Sequence, residues 1–280
     1  MFEATYAGAT TRYPFTVSGN NTAPPNHSAI WWNPAEPGWG VNINHQGNTL
    51  FAAWFTYNVD RSPQWLTMTA NLQADGSYRG QIFRNTGINF AQIDGSPAVV
   101  STTEVGTGTF RFAAGSGNAM PGMFSYTIDN VAGQKQIERQ VFGKVPSCVF
   151  TKGSRASATN YQDLWWNPQE SGWGVNFNHQ GDTIFAVWFT YRADGNGQWL
   201  MSTATRQPTG EYSGRLLRTA GLPMPHPDGA PVLAGTTEVG DFKVTFADGE
   251  NAVMTATLDG VTQSKNITRL VFGNLVPLCR

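Results

Sequence analysis

Charge is scarce in this chain. Only 13% of its 280 residues are Asp, Glu, Lys or Arg, and the formal net charge is −1. A surface so poor in cations cannot follow a phosphate backbone, so a nucleic-acid partner is not expected. No apolar run approaches the ~18 residues that carry a helix across a bilayer, so no membrane span is expected either. The N-terminus lacks a basic stretch followed by an apolar core, which reads as a mature chain without a leader. Four histidines and two cysteines are too few and too scattered for a metal cluster, and no metal is expected. No cofactor is implied: Gly106-x-Gly108 lies in a strand pattern without the following helix that a dinucleotide fold needs. A Gly-x-Ser-x-Gly elbow and a Cys–His pairing are both missing, and helical periodicity is nearly absent.

What is present is a repeat. Trp31 to Gly47 and Trp165 to Gly181 agree at 14 of 17 positions, differing at Ala35/Gln169, Pro37/Ser171 and Ile43/Phe177. The offset of 134 holds through Trp54/Trp188, Trp65/Trp199, Tyr78/Tyr212 and Arg84/Arg218, then falls to 130 by Arg139/Arg269 because the second copy has shorter turns. Such self-similarity predicts duplicated domains. The expected layout is an N-terminal extended arm (1–27), a first domain (28–150), a linker (151–161) and a second domain (162–280). Each copy ends in Val-Phe-Gly and a lone cysteine. Cys148 and Cys279 therefore suggest one disulfide joining the two tails, with two unpaired thiols as the alternative. A disulfide would place the protein outside the reducing cytosol, secreted or periplasmic.

Period-two alternation predicts strands near 39–46, 49–57, 64–71, 78–84, 104–112, 122–129 and 134–142, with turn residues such as Asp75-Gly76 between them. The second copy repeats the pattern. Short links between neighbours imply an antiparallel meander. The expected fold class is all-β: two tandem homologous up-and-down β-barrels of 7–8 strands each, closure removing exposed strand edges. The strand from Leu50 to Tyr57 is apolar on both faces, which predicts cover on its outer side, from the other copy, the linker or the arm. The amide row Asn42, Asn44, Gln46 (and Asn176, Asn178, Gln180) reads either as a solvated outer face or as a polar inner wall.

Gly38-Trp39 and Gly172-Trp173 on the expected first strand, with Arg139 and Arg269 on the last, resemble the lipocalin and avidin group of barrels. That resemblance implies a basic side chain covering the first-strand indole, hence Arg139 near Trp39 and Arg269 near Trp173. Separately, the Trp-Trp-Asn-Pro-x-Glu-x-Gly-Trp-Gly string resembles a tandem module of secreted or envelope-associated bacterial proteins; this likeness implies no particular activity.

The residues that could carry chemistry recur in both copies. Glu36 and Glu170 sit in a Pro-x-Glu-x-Gly turn, where a carboxylate is a general acid, a hydroxyl acceptor or a turn brace. His45 and His179 end a strand, a place for a general base or a locally bonded hairpin residue. The five Trp pairs account for all ten tryptophans. Trp39 and Trp54 are expected in the core. Trp31, Trp32, Asn33 and Trp65, with Trp165, Trp166, Asn167 and Trp199, are expected to form half-wet stacking platforms with polar neighbours. The function this pattern predicts is a secreted or periplasmic binding protein with one glycan or small amphiphilic ligand per barrel. Two alternatives stand beside it. One is an enzyme acting on a polysaccharide or small molecule through Glu36/Glu170 and His45/His179. The other is a surface or filament subunit that self-associates through the strand-like segment Thr11 to Val17.

Overall fold

The computed structural model describes residues 2–6, 9–13, 25–113, 121–224, 226 and 228–280. A hairpin of β1 (Phe2–Tyr6) and β2 (Ala9–Tyr13) opens the chain, its two strands paired with each other. Thr11 to Tyr13 of the segment expected to self-associate thus pair within the chain, and Pro14 to Val17 lie outside the described residues. Eight strands follow: β3 (Ala29–Trp32), β4 (Gly40–Gln46), β5 (Thr49–Tyr57), β6 (Pro63–Leu72), β7 (Tyr78–Gly87), β8 (Val99–Phe112), β9 (Pro121–Ile128) and β10 (Val131–Arg139). Each pairs antiparallel with the next, and β10 returns to β3, so the sheet closes into a barrel. After β11 (Cys148–Thr151), the strands β12 (Asp163–Trp166), β13 (Gly174–Gln180), β14 (Thr183–Tyr191), β15 (Gly197–Arg206), β16 (Tyr212–Gly221), β17 (Leu233–Phe246), β18 (Asn251–Leu258) and β19 (Val261–Arg269) pair in the same order and close in the same way. The last strand, β20 (Val276–Cys279), pairs with β11, setting Cys148 opposite Cys279 in a disulfide.

The strand reading from sequence is one short at its start. Ala29-Ile30-Trp31-Trp32 carries no alternation, yet β3 is the strand that meets β10, with Arg139 opposite Trp31. The expected partners of the arginines are corrected accordingly: Arg139 lies 5.5 Å from the centre of the Trp31 ring and Arg269 lies 5.0 Å from that of Trp165. Trp39 and Trp173 instead pack edge-on against Trp54 and Trp188 in the two cores. The barrel-closing contact of cation and indole exists, one turn of sequence earlier than expected.

The two barrels meet side by side about an approximate two-fold axis. Asn178 Nδ2 donates to Asn42 Oδ1 at 2.8 Å, and Asn176 Nδ2 donates to Asn44 Oδ1 at 3.0 Å. Position i of one copy thus meets the equivalent of j in the other and vice versa, the signature of an isologous contact. Gln46 Oε1 accepts from the backbone of Phe272 and Gly273, and Gln180 Oε1 accepts from Phe142 and Gly143. Hence the amide row is neither a solvated face nor a ligand wall. It is a buried polar seam in which each amide makes at least one bond, worth about 1 kcal/mol net, while Asn42 Nδ2, Asn44 Nδ2 and Asn176 Oδ1 have no partner among the described residues. Beside it the outer faces of β5 and β14 give up their apolar side chains: Phe55 packs on Trp199 and Phe189 on Trp65. The expected cover of the doubly apolar strand is the other copy.

Candidate functional site

The Asn-Pro-x-Glu turn is built by its own side chains. Asn33 Oδ1 accepts from Ala35 N at 3.0 Å, and Glu36 N donates to Asn33 O at 2.9 Å. Asn167 does the same for Gln169. Both asparagines therefore brace turns rather than offering amides to a platform. This turn delivers Glu36 to the mouth of barrel 1 with 1% of its surface exposed. Its Oε2 accepts from Trp39 Nε1 at 3.1 Å, and its Oε1 accepts from Lys135 Nζ at 3.1 Å and from Gly229 N at 2.9 Å. In barrel 2, Glu170 accepts from Lys265 Nζ at 2.7 Å. Both glutamates are held as buried ion pairs, a geometry that fixes the mouth and leaves little freedom for proton transfer.

Gly229 belongs to the other copy, and this defines the mouth. The loop after β7 in copy one reaches over barrel 2: Phe90 packs edge-on to Trp188 at 4.8 Å, and Lys265 Nζ donates to Ile93 O. The loop after β16 in copy two reaches over barrel 1, where Lys135 Nζ bonds Asp228 at 2.5 Å and Leu233 N donates to Pro37 O. The crossing needs bare backbone. Gly38 and Gly172 hold φ of +125° and +120°, and a Cβ on either would lie 2.4 Å or less from the crossing chain. Each barrel is lidded by its twin.

Under the lid of barrel 1 lies a cavity of about 180 Å³, lined among others by Trp54, Thr56, Gln64, Arg84, Tyr126 and Met224. Four of these side chains carry a buried polar atom without a protein partner: Trp54 Nε1, Thr56 Oγ1, Gln64 Oε1 and Tyr126 Oη. Trp54, Thr56 and Tyr126 are 3%, 1% and 5% exposed. Buried polar atoms are satisfied in more than nine cases of ten; Trp188 Nε1 and Thr190 Oγ1 are likewise unpartnered in barrel 2, so the feature particular to barrel 1 is the pair Gln64 Oε1 and Tyr126 Oη beside a cavity. Burial, then the carboxylates of Glu36 and Asp228, push the Tyr126 hydroxyl up to about 12, which keeps its proton in place as a donor. Arg84 stands at the rim, paired with Asp129 at 2.7 Å.

His45 and His179 lie at the opposite ends of their barrels from the glutamates. Gly40 pairs with Phe55 at the glutamate end of β4, and Gln46 pairs with Thr49 at the far end, a run of roughly 20 Å at 3.3 Å per residue. Glu36 and His45 therefore do not share a cleft. His45 bonds Gly47 O, Tyr78 Oη and His27 N; His179 bonds Gly181 O, Tyr212 Oη and Tyr161 N. Burial first, then in copy one the Arg139 charge, lowers His45 to about 4; burial likewise holds His179 at about 4. Both are neutral hubs of the strand ends at ordinary pH.

The tryptophans divide. Trp31 and Trp165 are fully buried, their Nε1 donating to His27 O and Tyr161 O under the closing arginines, so they are core rather than platform. Trp65 and Trp199 cross the seam, Nε1 donating to Thr190 O and Thr56 O of the other copy. Trp32 and Trp166 stay half-buried, and Trp166 faces a cavity between the barrels. The sequence reading passed over Lys135, Lys265 and Tyr126. A signal for the lysines exists: in Lys135-Gln136-Ile137 and Lys265-Asn266-Ile267, period two puts a lysine on the inward face of the last strand in both copies. Comparison of the chain with family models, with curated proteins and with solved structures finds no match.

Proposed function

We propose that this chain is a secreted or periplasmic binding protein whose principal site is the lidded mouth of barrel 1, taking a small hydroxyl-bearing ligand with one flat apolar face, such as a sugar unit of a glycan or the head of a small amphiphile. The observation that carries this reading is the cavity lined by Trp54 and Tyr126 in barrel 1, whose side chains include the unpartnered Gln64 Oε1 and Tyr126 Oη that barrel 2 has no equivalent of. An indole and a phenol supply stacking area, while the Tyr126 hydroxyl and the Gln64 amide beside them suit hydroxyl groups of a sugar edge. The Cys148–Cys279 disulfide supports an oxidising compartment. Among the described residues no helix is long and apolar enough to cross a membrane. The lipocalin-like and avidin-like architecture suggested by the closing Arg–Trp pairs is part of the same proposal, since such barrels hold ligands at an open end. The acid–base reading is less well supported because its carboxylates and imidazoles stand at opposite barrel ends.

The test uses the full chain with intact disulfide. Tryptophan fluorescence and calorimetric titration with glucose, galactose, N-acetylglucosamine, their disaccharides and octyl glucoside should identify at least one saturable ligand. Tyr126→Phe and Thr56→Val should each weaken it about five-fold or more, the loss of one hydrogen bond, while leaving thermal stability unchanged or slightly raised because each removes an unsatisfied buried hydroxyl. Binding that is indifferent to both changes, or no saturation by any of these compounds, would overturn the assignment.

A further inference from the structure

A second cavity, of about 240 Å³, lies in the seam between the barrels and draws on both copies: Phe51, Ala53, Trp65 and Thr67 from one, Trp166, Trp173 and Phe189 among those from the other. We infer that this cavity is a binding site for a flat, largely apolar aromatic molecule. The inference does not depend on the barrel 1 site.

Three observations lead to it. The first is that the cavity breaks the two-fold symmetry of the interface. At offset 134 the positions of Ala53, Thr67 and Val99 are held by Val187, Met201 and Leu233, all larger. The ring of Phe55 lies against Gly40, close enough that a Cβ there would be 2.5 Å from it, whereas the nearest atom to a Cβ on the equivalent Gly174 is Leu164 Cδ1 at 3.1 Å. Phe189 stands off where Phe55 closes in. One half of the seam is packed and the other is hollow.

The second observation is the lining. Three indoles and two phenyl rings bound the space, and its polar side chains Thr67 and Asn85 bond each other, Asn85 Nδ2 donating to Thr67 Oγ1 at 3.3 Å. Apolar cavities of about 150 Å³ already accept a benzene ring, so this one has room for a substituted ring. The third is access: the cavity opens past partly exposed side chains, so a flat apolar ring can reach its aromatic faces, and a ligand rich in hydroxyls would find few partners there. Half-buried Phe51, Val99 and Trp166 form the rim through which the ring would enter.

Acetophenone, an aromatic ketone, and ethylbenzene, its counterpart without an acceptor, are the test compounds, read by the indole N–H resonances of the full chain and assigned with Trp173→Phe. Both should saturate, move the Trp173 N–H resonance through the ring current of the bound molecule and leave that of Trp54 in place, with ethylbenzene binding at least as tightly as acetophenone. The triple change Ala53→Val, Thr67→Met and Asn85→Thr installs the residues that the packed half already carries, and should abolish acetophenone binding with the thermal midpoint kept or raised. Acetophenone binding that survives this change, a Trp173 resonance that does not respond in the unaltered protein, or failure of ethylbenzene to saturate would each overturn the proposal. Because the unaltered protein reports through Trp173 itself, failure of the triple variant to fold would not remove the test.

Discussion

Barrel 1 and barrel 2 share their motif residues and differ in what those residues enclose. At the lid end, the loop over barrel 2 inserts Phe90 against Trp188, and β18 offers the small Ala256 to receive it; Gln263 Nε2 bonds Phe90 O and locks the loop in place. The loop over barrel 1 has Met224 at the position of Phe90, and β9 carries Tyr126 where β18 has Ala256, so the space is partly refilled from the barrel wall and a polar cavity remains. Gln198 in barrel 2 has its Oε1 taken by Arg218, whereas the Oε1 of Gln64 in barrel 1 has no partner. At the histidine end the contrast continues. Arg269 sits with Asp163 and Arg155, all 3% exposed or less, whereas Arg139 donates to Asn26 O and has no carboxylate beside it among the described residues, Ala29 standing where the other copy has Asp163. Phe90 fills the lid end of barrel 2 where barrel 1 keeps a cavity, although both copies retain unpartnered buried groups, Trp54 Nε1 and Thr56 Oγ1 in one and Trp188 Nε1 and Thr190 Oγ1 in the other.

The sharpest way to break this comparison is at Asp163. Its carboxylate lies 2.5 Å from Arg155 and 3.3 Å from Arg269. Asp163→Ala gives copy two the residue of copy one but leaves two buried guanidinium groups facing each other, and should cost about 3–5 kcal/mol in denaturant unfolding. Adding Arg155→Ala should recover a substantial part of that. A loss below about 1 kcal/mol would show that the cluster is not what holds barrel 2 shut.

Acid separates the copies by a smaller margin. His27 occupies in copy one the place of Tyr161 in copy two, so barrel 1 buries two imidazoles at its end and barrel 2 buries one. Burial, then the nearby His45, lowers His27 to about 3. A histidine held below its ordinary 6.5 is neutral in the fold and takes up its proton more readily when unfolded. Its full stabilisation is therefore present above about pH 6.5 and is lost as the pH falls toward 4. For His179 alone that loss is roughly 3 kcal/mol, and barrel 1 should lose more. Hydrogen exchange followed from pH 7 to pH 4 should show amide protection in β4 and β7 failing before that in β13 and β16, and His27→Tyr should bring the two barrels together. Equal loss in both would refute the assignment of the difference to His27.

How much of this was legible beforehand depends on distance along the chain. The repeat, the alternation and the turn residues are local, and they carried the all-β class, the closed meander and the cover over Leu50 to Tyr57. The paired cysteines were legible because each ends its own copy. The seam was not: Asn42, Asn44 and Gln46 look the same whether they face water, a ligand or Asn178 and Asn176, and alternation alone cannot tell these apart. The crossed lids were hidden for the same reason, since nothing local in Phe90 or Met224 says which barrel it will cover. Identical Glu, His, Trp and Arg residues in both copies suggested equivalent sites, and the structure separates them through positions that do differ: Tyr126/Ala256, Met224/Phe90 and Ala29/Asp163.

The smallest expected effect lies at the rims. Arg84 makes one contact with Asp129 at 2.7 Å; Arg218 grips Asp259 with both terminal nitrogens and also donates through Nε to Gln198 Oε1 at 3.4 Å. Exposed ion pairs contribute at most about 1 kcal/mol, so Arg84→Gln should shift stability by no more than roughly 0.5 kcal/mol. Arg218→Gln should cost somewhat more, about 1 kcal/mol, because it strands the buried amide oxygen of Gln198 as Gln64 is stranded already. Ligand affinity should run the other way. Arg84 lines the barrel 1 cavity, so its change should alter binding there measurably, while Arg218→Gln leaves it untouched. Calorimetric unfolding and titration of the two variants check both halves at once. If Arg218→Gln is the one that changes binding, the working mouth is that of barrel 2, and the division of labour drawn from the two cavities is reversed.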